Sequence, residues 1–182
     1  MNFKKTVTLK DGRNCLLRNG VTSDGKAVLD VFNRTHEETD YLLTYSDENR
    51  FTASQEADFL QRKTDSTNTV EIIAIVDGVV AGTAGIDALG MRDKIKHRAV
   101  FGIAITKEFW GLGIGKYLME ACIECAREAG YLQLELEVVA ENERAVEMYR
   151  RAGFIEYGRN PKAFRLRTGE YQELIDMRLE LK

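Results

Sequence analysis

The sequence predicts a mixed α/β (α+β) fold in which one twisted, mostly antiparallel sheet of about seven strands is flanked by about four helices. Three observations support this prediction. Hairpin signals dominate the first half of the chain, with turns expected at Asp11-Gly12 and Asp77-Gly78. Strand–helix–strand patterns dominate the second half, from Ala99 onward. The composition, with 44% hydrophobic and 30% charged residues, is that of an ordinary globular protein.

The length of 182 residues favours a single domain, because domains usually span about 100–200 residues. No repeat, low-complexity tract or change in composition divides the chain. Its single proline, Pro161, argues against a proline-rich linker. We therefore expect residues 1–182 to form one domain.

Charge and apolar runs limit the expected partners. The chain has 26 basic and 29 acidic side chains, and this balance indicates neither a nucleic-acid nor a membrane partner. No run of 18 apolar residues predicts a transmembrane helix, and Met1–Gly12 lacks the apolar run of a signal peptide. Three cysteines are too few for a disulfide framework. We expect a cytoplasmic protein.

Two helices are expected early in the chain. Ser23-Asp24 favours a helix N-terminus, and the apolar spacing that follows predicts a helix through about Thr35. Residues 36–51 are rich in polar side chains and predict an irregular loop with a helical turn. A second helix should begin at Thr52, because Gln55, three residues later, completes the spacing of a capping box.

The second half of the chain contains two predicted strands with different patterns of polarity. Ala99–Ile105 is nearly all apolar, which predicts burial on both faces. Leu132–Val139 alternates in polarity, which places Glu135 and Glu137 on one face. Between them, a helix is expected to end near Gly130, and its apolar face should consist of Ile114, Leu118, Cys122, Cys125 and Ala129. The cysteines of this face are interpreted as core residues rather than metal ligands or a redox pair.

The strongest local signal is a glycine-rich loop. Gly111, Gly113 and Gly115 lie between a strand and an amphipathic helix, where free N–H groups and the helix dipole favour phosphate, and Lys116 adds a cation. The spacing is one residue shorter than the dinucleotide fingerprint. A Walker A loop is also excluded, because one residue is missing and Tyr117 replaces Ser or Thr. A tight turn without a ligand remains the alternative.

A second motif follows the next strand. It consists of Asn142, Ala145, Tyr149, Gly153 and Phe154. Together with the glycine loop it resembles the GCN5-related N-acetyltransferase (GNAT) superfamily, whose acetyl-CoA signature reads Gln/Arg-x-x-Gly-x-Gly/Ala and then Asn-x-x-Ala-x-x-x-Tyr-x-x-x-Gly-Phe. The resemblance covers about residues 70–182. One departure is Trp110, which stands where the family usually has Gln or Arg.

The resemblance implies that the strand Phe101–Ile105 splays away from the strand Leu132–Val139. The pantetheine of acetyl-CoA would lie in the opening between these two strands. Backbone groups of Ile103, Ala104 and Ile105 would then hold the thioester carbonyl. The pyrophosphate would be held by Gly111, Leu112, Gly113, Ile114, Gly115 and Lys116. Asn142 matches a position that contacts CoA, although Asn is also a favoured helix N-cap.

The resemblance also implies acetyl transfer to an amine, with Tyr149 as the general acid. A phenol has a reference pKa of about 10 and is protonated at neutral pH. The alternative for Tyr149 is a packed core tyrosine. Glu137 is the first candidate for the general base, because a carboxylate on a central strand is costly to bury unless it is used or paired. Glu37, Glu38 and Asp40 are alternatives, unless they form a solvated acidic loop.

We therefore expect acetyl-CoA-dependent N-acetylation of a small amine, amino-acid-like or polyamine-like, by direct attack in a ternary complex. No metal is expected. The alternatives are acetylation of a protein N-terminus or lysine, and a non-catalytic acyl-CoA sensor. Members of the superfamily are often dimers, so a homodimer is one expected assembly. The basic segment 159–167 is interpreted as a solvated hairpin at the acceptor site.

Overall fold

The chain folds around one sheet of eight strands. The computed structural model describes residues 1–181. The sheet has one strand more than the approximate number expected. The order across it is β1-β2-β3-β4-β5-β6-β8-β7, and β5 and β6 run parallel while the other neighbours are antiparallel. The strands are β1 (Lys4–Thr8), β2 (Asn14–Asn19), β3 (Val70–Val76), β4 (Val79–Ala88), β5 (Arg98–Ile105), β6 (Gln133–Val139), β7 (Ile155–Arg165) and β8 (Tyr171–Glu180).

Helices cover both faces of the sheet. They are α1 (Gly25–Glu38), α2 (Ala53–Asp65), α3 (Ile114–Glu128) and α4 (Glu143–Arg151). Successive residues of a strand face opposite sides. In β3, Ile73 packs with α1 and α2, whereas Ile72 packs with the core that includes α3 and α4. The two helix pairs therefore lie on opposite faces, and the predicted architecture is confirmed.

The predicted start of α2 is confirmed, whereas both ends of α1 differ from the prediction. The capping box is confirmed, since Thr52 accepts from the Gln55 N–H and Gln55 accepts from the Thr52 N–H. Asp24 does not cap α1 as predicted, because its carboxylate is occupied by Arg18 and by the Val21 N–H. The helix also extends three residues beyond Thr35 before the loop begins.

The prediction that β5 is buried on both faces is wrong. Ala99 and Phe101 are buried, but Val100 is 38% exposed and Gly102 is also exposed. The strand pairs with β6 only over residues 98–100 and then diverges from it. The other face of β5, and its edge beyond residue 100, therefore border a gap between β5 and β6 and are not packed against the protein.

The basic segment 159–167 lies in the exposed β7–β8 hairpin, mostly within β7 itself. β7 runs to Arg165, and its register against β8 shifts between Asn160 and Phe164. Pro161 lies within that shift, and a proline has no N–H with which to continue a ladder. The hairpin turn therefore falls later, around residues 166–169.

The cysteines of α3 are core residues, as predicted. Cys122 and Cys125 are almost completely buried, and burial raises the pKa of both thiols. No group of three potential ligands among His, Cys, Asp and Glu forms a metal site in residues 1–181. Within the same residues, no helix is long and apolar enough to cross a membrane.

Candidate active site

A cleft of about 1040 Å³ opens where β5 and β6 diverge. It reaches from the N-termini of α3 and α4 to the end of α1. Among the residues predicted to hold acetyl-CoA, Leu112 alone does not line the cleft, because its side chain packs against the core and its carbonyl accepts from the Lys10 N–H at 3.1 Å. The predicted residues on the lining are Ile103, Ala104, Ile105, Gly111, Gly113, Ile114, Gly115, Lys116, Glu137, Asn142 and Tyr149.

The glycine loop presents an uncapped helix N-terminus to the cleft. Gly111 and Gly113 have φ of 88° and 96°, a region that L-residues with side chains rarely adopt. Gly113 occupies the N-cap position of α3 and provides no side-chain cap. The N–H groups of the first helical turn have no acceptor within the helix. Together with the helix dipole, they form a site for an anion.

Gly115 has a different physical role from the other two glycines. A Cβ on Gly115 would lie 3.1 Å from Met148 Sδ and 3.4 Å from Ile105 Cδ1. The first of these distances is tighter than ordinary van der Waals contact, so this glycine lets α3 approach α4 closely. Gly115 also lines the cleft, at the place where α3 and α4 approach each other.

Two cations at this end were missed by the sequence analysis. The Arg144 guanidinium lies 3.8 Å from the Cβ position of Gly111, and Lys10 Cγ lies 3.9 Å from that of Gly113. With Lys116, they give three cations around the loop. The position of Arg144 in the first turn after Asn142 was a usable signal. Lys10 is distant in sequence, and only the fold brings it to the loop.

Trp110 fixes the loop to the sheet. Its Nε1–H donates to the Ile105 carbonyl at 2.7 Å. The Arg144 guanidinium lies 5.8 Å from the ring centroid, and the Lys107 ammonium lies 5.9 Å from it. Cations over an indole face are attracted by the ring quadrupole. The indole thus positions Arg144 beside the anion site.

The register of β5 decides which backbone groups face the gap. The Thr106 N–H donates to the Ala81 carbonyl at 3.0 Å, and in an antiparallel pair such bonding alternates along the strand. Ala104 therefore bonds toward β4. Ile103 and Ile105 direct their N–H groups toward β6, where strand pairing has ended. These two N–H groups, rather than that of Ala104, are available to a ligand.

Tyr149 is a packed core tyrosine that also lines the cleft. It is 5% exposed, and its ring contacts Phe101 edge-on and Phe154 at a tilt. Its hydroxyl has no hydrogen-bond partner among the described residues. Burial raises the pKa of Tyr149 well above the ordinary value, so the phenol carries its proton at neutral pH. Asn142, at the N-terminal end of α4, caps the helix by accepting from the Ala145 N–H at 3.3 Å.

The two glutamates of β6 are in different environments. Glu135 is buried and paired with Arg98, whose Nη2 lies 2.6 Å from Glu135 Oε2. Glu137 is exposed, lines the cleft and makes no ion pair within the described chain. Asp176 of β8 stands directly opposite Glu137 in the register. Glu137 is therefore the carboxylate of β6 that a ligand can reach.

The loop carboxylates do not compete with Glu137. Glu38 accepts from the Lys107 N–H and pairs with Arg34. Glu37 and Asp40 are exposed and lie outside the cleft lining. The α1 end and its loop instead contribute residues that the sequence analysis did not single out, namely Thr35, Thr39, Tyr41, Leu42 and Leu43.

Comparison with known proteins identifies the class. Residues 28–154 match the family model described as the acetyltransferase (GNAT) family, and the chain belongs to this family. The match begins earlier than the expected residue 70, because it includes most of α1, and it ends before β7. Membership confirms the predicted N-acetyltransferase class and, with it, acetyl-CoA as the acetyl donor.

Individual relatives agree with this membership. The L-amino acid N-acetyltransferase AaaT of Escherichia coli is 32% identical over 118 residues, 64% of this chain and 72% of that protein. A GNAT acetyltransferase structure from Streptococcus pneumoniae is 28% identical, with a TM-score of 0.87 over 91% of this chain and 99% of that one. A Salmonella typhimurium putative acetyltransferase solved with acetyl-CoA shares the fold at 17% identity and a TM-score of 0.82, over 93% and 95% of the chains.

Proposed function

We propose that this protein transfers the acetyl group of acetyl-CoA to the primary amine of a small molecule by direct attack in a ternary complex. The observation that carries the proposal is the composition of one cleft. An anion site, two free strand N–H groups, a buried phenol and an accessible carboxylate all line it. The name of the Escherichia coli relative, an L-amino acid N-acetyltransferase, supports a small amine as the acceptor.

The donor end suits the phosphates of CoA. The N-terminus of α3 would take the pyrophosphate through the N–H groups of its first turn. Lys10, Lys116 and Arg144 surround that position and would neutralise phosphate charge. The pantetheine would then extend along the free edge of β5, where Ile103 directs its N–H into the gap.

The reaction follows from the groups in the gap. Glu137 takes a proton from the ammonium, directly or through water, and leaves a neutral nucleophile. The amine nitrogen attacks the thioester carbon, and the oxyanion is stabilised by a strand N–H of Ile103 or Ile105. The C–S bond then breaks, and the nitrogen loses its remaining extra proton to water, which leaves a neutral amide. Tyr149 donates its phenolic proton to the leaving CoA thiolate.

Thiol release from acetyl-CoA, followed with a thiol-reactive dye, tests this function. The acceptor panel contains amino acids, alkylamines, polyamines, aminoglycosides and lysine peptides, and calorimetry measures acetyl-CoA binding in parallel. We expect binding together with turnover of a small amine. Turnover of lysine peptides alone would favour a protein acetyltransferase. Binding without turnover on any acceptor would favour a non-catalytic sensor, and absence of binding would contradict the assignment of the cleft.

A further inference from the structure

We propose that the acceptor is a primary amine on an apolar body that carries no carboxylate, such as an arylalkylamine or a branched alkylamine. The proposal rests on the proposed function and narrows its substrate class. It separates this chain from its amino-acid-acetylating relative. The argument comes from the charges on the two sides of the cleft.

All cations that line the cleft lie on its donor side. Lys10, Lys116 and Arg144 surround the glycine loop. The fourth, Arg151, belongs to α4 and is paired with Glu147 at 2.8 Å. α3 and α4 share one face of the sheet, so these charges lie on the face opposite α1 and α2.

The acceptor side has a different chemistry. In β8, Leu174 alternates with Ile175, which packs in the core beneath α3 and α4, so Leu174 and Glu137 lie on the opposite face. Among residues 1–181, Glu137 is the one charged side chain that lines this side of the cleft. The others that line this side are Thr35, Thr39, Tyr41, Leu42, Leu43, Phe164 and Leu174.

Three cations near this side but outside the lining have acidic partners, and one of them, Arg178 of β8, lies 3.3 Å from Glu180. Arg167, in the β7–β8 turn, stacks on Tyr45 at 4.0 Å and pairs with Asp47 at 2.7 Å. Its backbone N–H also donates to the Tyr45 hydroxyl. Arg98 is held by Glu135. These pairs leave little positive potential for an acceptor.

A free amino acid would therefore bind poorly. Its ammonium can meet Glu137, but its carboxylate is attached one carbon away and would lie near Glu137 and Asp176. Those two carboxylates already face each other across β6 and β8. A further carboxylate would face like charge and lose water without a cation in exchange. A polyamine would set one further ammonium near Asp176, but the rest of its length would lie against leucine and aromatic side chains.

Two matched pairs of acceptors test this inference. Phenethylamine is compared with phenylalanine, and isopentylamine with leucine, because each pair differs by the carboxylate alone. We expect kcat/KM to be higher for the carboxylate-free member by about 10-fold or more, because the carboxylate of the amino acid meets like charge and no cation on this side of the cleft. Equal or better use of the amino acids, or preference for spermidine over phenethylamine, would overturn the inference.

A variant separates charge from shape. Glu137→Gln should lower turnover of both members of a pair, but their ratio should also fall because one of the two repelling carboxylates is gone, while Asp176 remains. An unchanged ratio would mean that the charge of Glu137 does not set the preference and would contradict the inference. Failure of the proposed function appears differently, as acetyl-CoA binding with no thiol release from any amine. A wrong specificity appears as turnover of amino acids.

Discussion

The two ends of the cleft are built in different ways. The donor end consists largely of backbone, with a helix N-terminus, two left-handed glycines and the edge of a strand. The acceptor end consists of side chains from α1, its following loop, β6, β7 and β8. The donor site binds one invariant ligand, and backbone N–H groups are sufficient for it. The acceptor site must select one amine among many, and its side chains determine that selectivity. The comparison predicts that substitutions at the two ends change different kinetic constants.

The largest effect is expected at Tyr149, where the two ends meet. Tyr149→Phe removes only the hydroxyl and should lower kcat by about 100-fold or more, the usual contribution of a general acid. The Kd for acetyl-CoA should stay unchanged. Calorimetry and steady-state kinetics check both values.

Tyr131→Phe is the matched control for that substitution. Tyr131 is also buried, but its hydroxyl donates to the Asn68 carbonyl outside the cleft. This control should keep kcat. An equal loss of kcat in both variants would indicate a packing defect and contradict the role of Tyr149.

The next prediction concerns Glu71, a carboxylate of β3 that lies beneath α2. Its more buried environment contrasts with that of the exposed Glu137. A Cβ on Gly85 would overlap Glu71 Oε2, so this carboxylate occupies space that the glycine leaves open. Burial raises the pKa of Glu71 from 4.5 to about 7. Between these values the folded state holds a proton that the unfolded state has lost, so this contribution to stability falls as the pH rises.

Glu71→Gln removes that titration. The free energy of unfolding of the variant, minus that of the wild type, should rise by up to about 3 kcal/mol between pH 4.5 and pH 8. Urea unfolding at several pH values measures the difference. A difference that stays constant with pH would show that Glu71 titrates normally.

A smaller effect is expected at the donor end. Trp110→Phe keeps an aromatic face for Arg144 but removes the bond from Nε1 to the Ile105 carbonyl. We expect a loss of about 1 kcal/mol, the usual net value of one hydrogen bond. The KM for acetyl-CoA should rise several-fold while the amine KM stays constant. A change in the amine KM alone would contradict this assignment.

The smallest effect is expected at the rim of the acceptor end. Arg167→Gln breaks an exposed pair with Asp47, worth under about 1 kcal/mol, and frees the loop that carries Tyr45. The amine KM should rise a few-fold, and the acetyl-CoA KM should not change. Lys26→Gln, which breaks an exposed pair with Asp30 on α1, is the control and should alter neither constant.

The same contrast explains what the sequence predicted. The helices, the sheet and the donor loop depend on local patterns, such as the capping box at Thr52 and the glycines before α3. The burial of β5 was mispredicted because apolar residues occupy an edge that only the divergence from β6 opens. Lys10 and the loop that carries Leu42 reach the cleft through contacts between distant segments, which no local pattern records.

The division of the cleft is tested most directly by acetyl-CoA affinity in two variants, Arg144→Gln and Glu137→Gln. Calorimetry with acetyl-CoA alone requires no knowledge of the acceptor. We predict that Arg144→Gln weakens acetyl-CoA binding several-fold and that Glu137→Gln leaves it unchanged while lowering turnover. Equal weakening of acetyl-CoA binding by both substitutions would contradict a cleft with separate donor and acceptor ends.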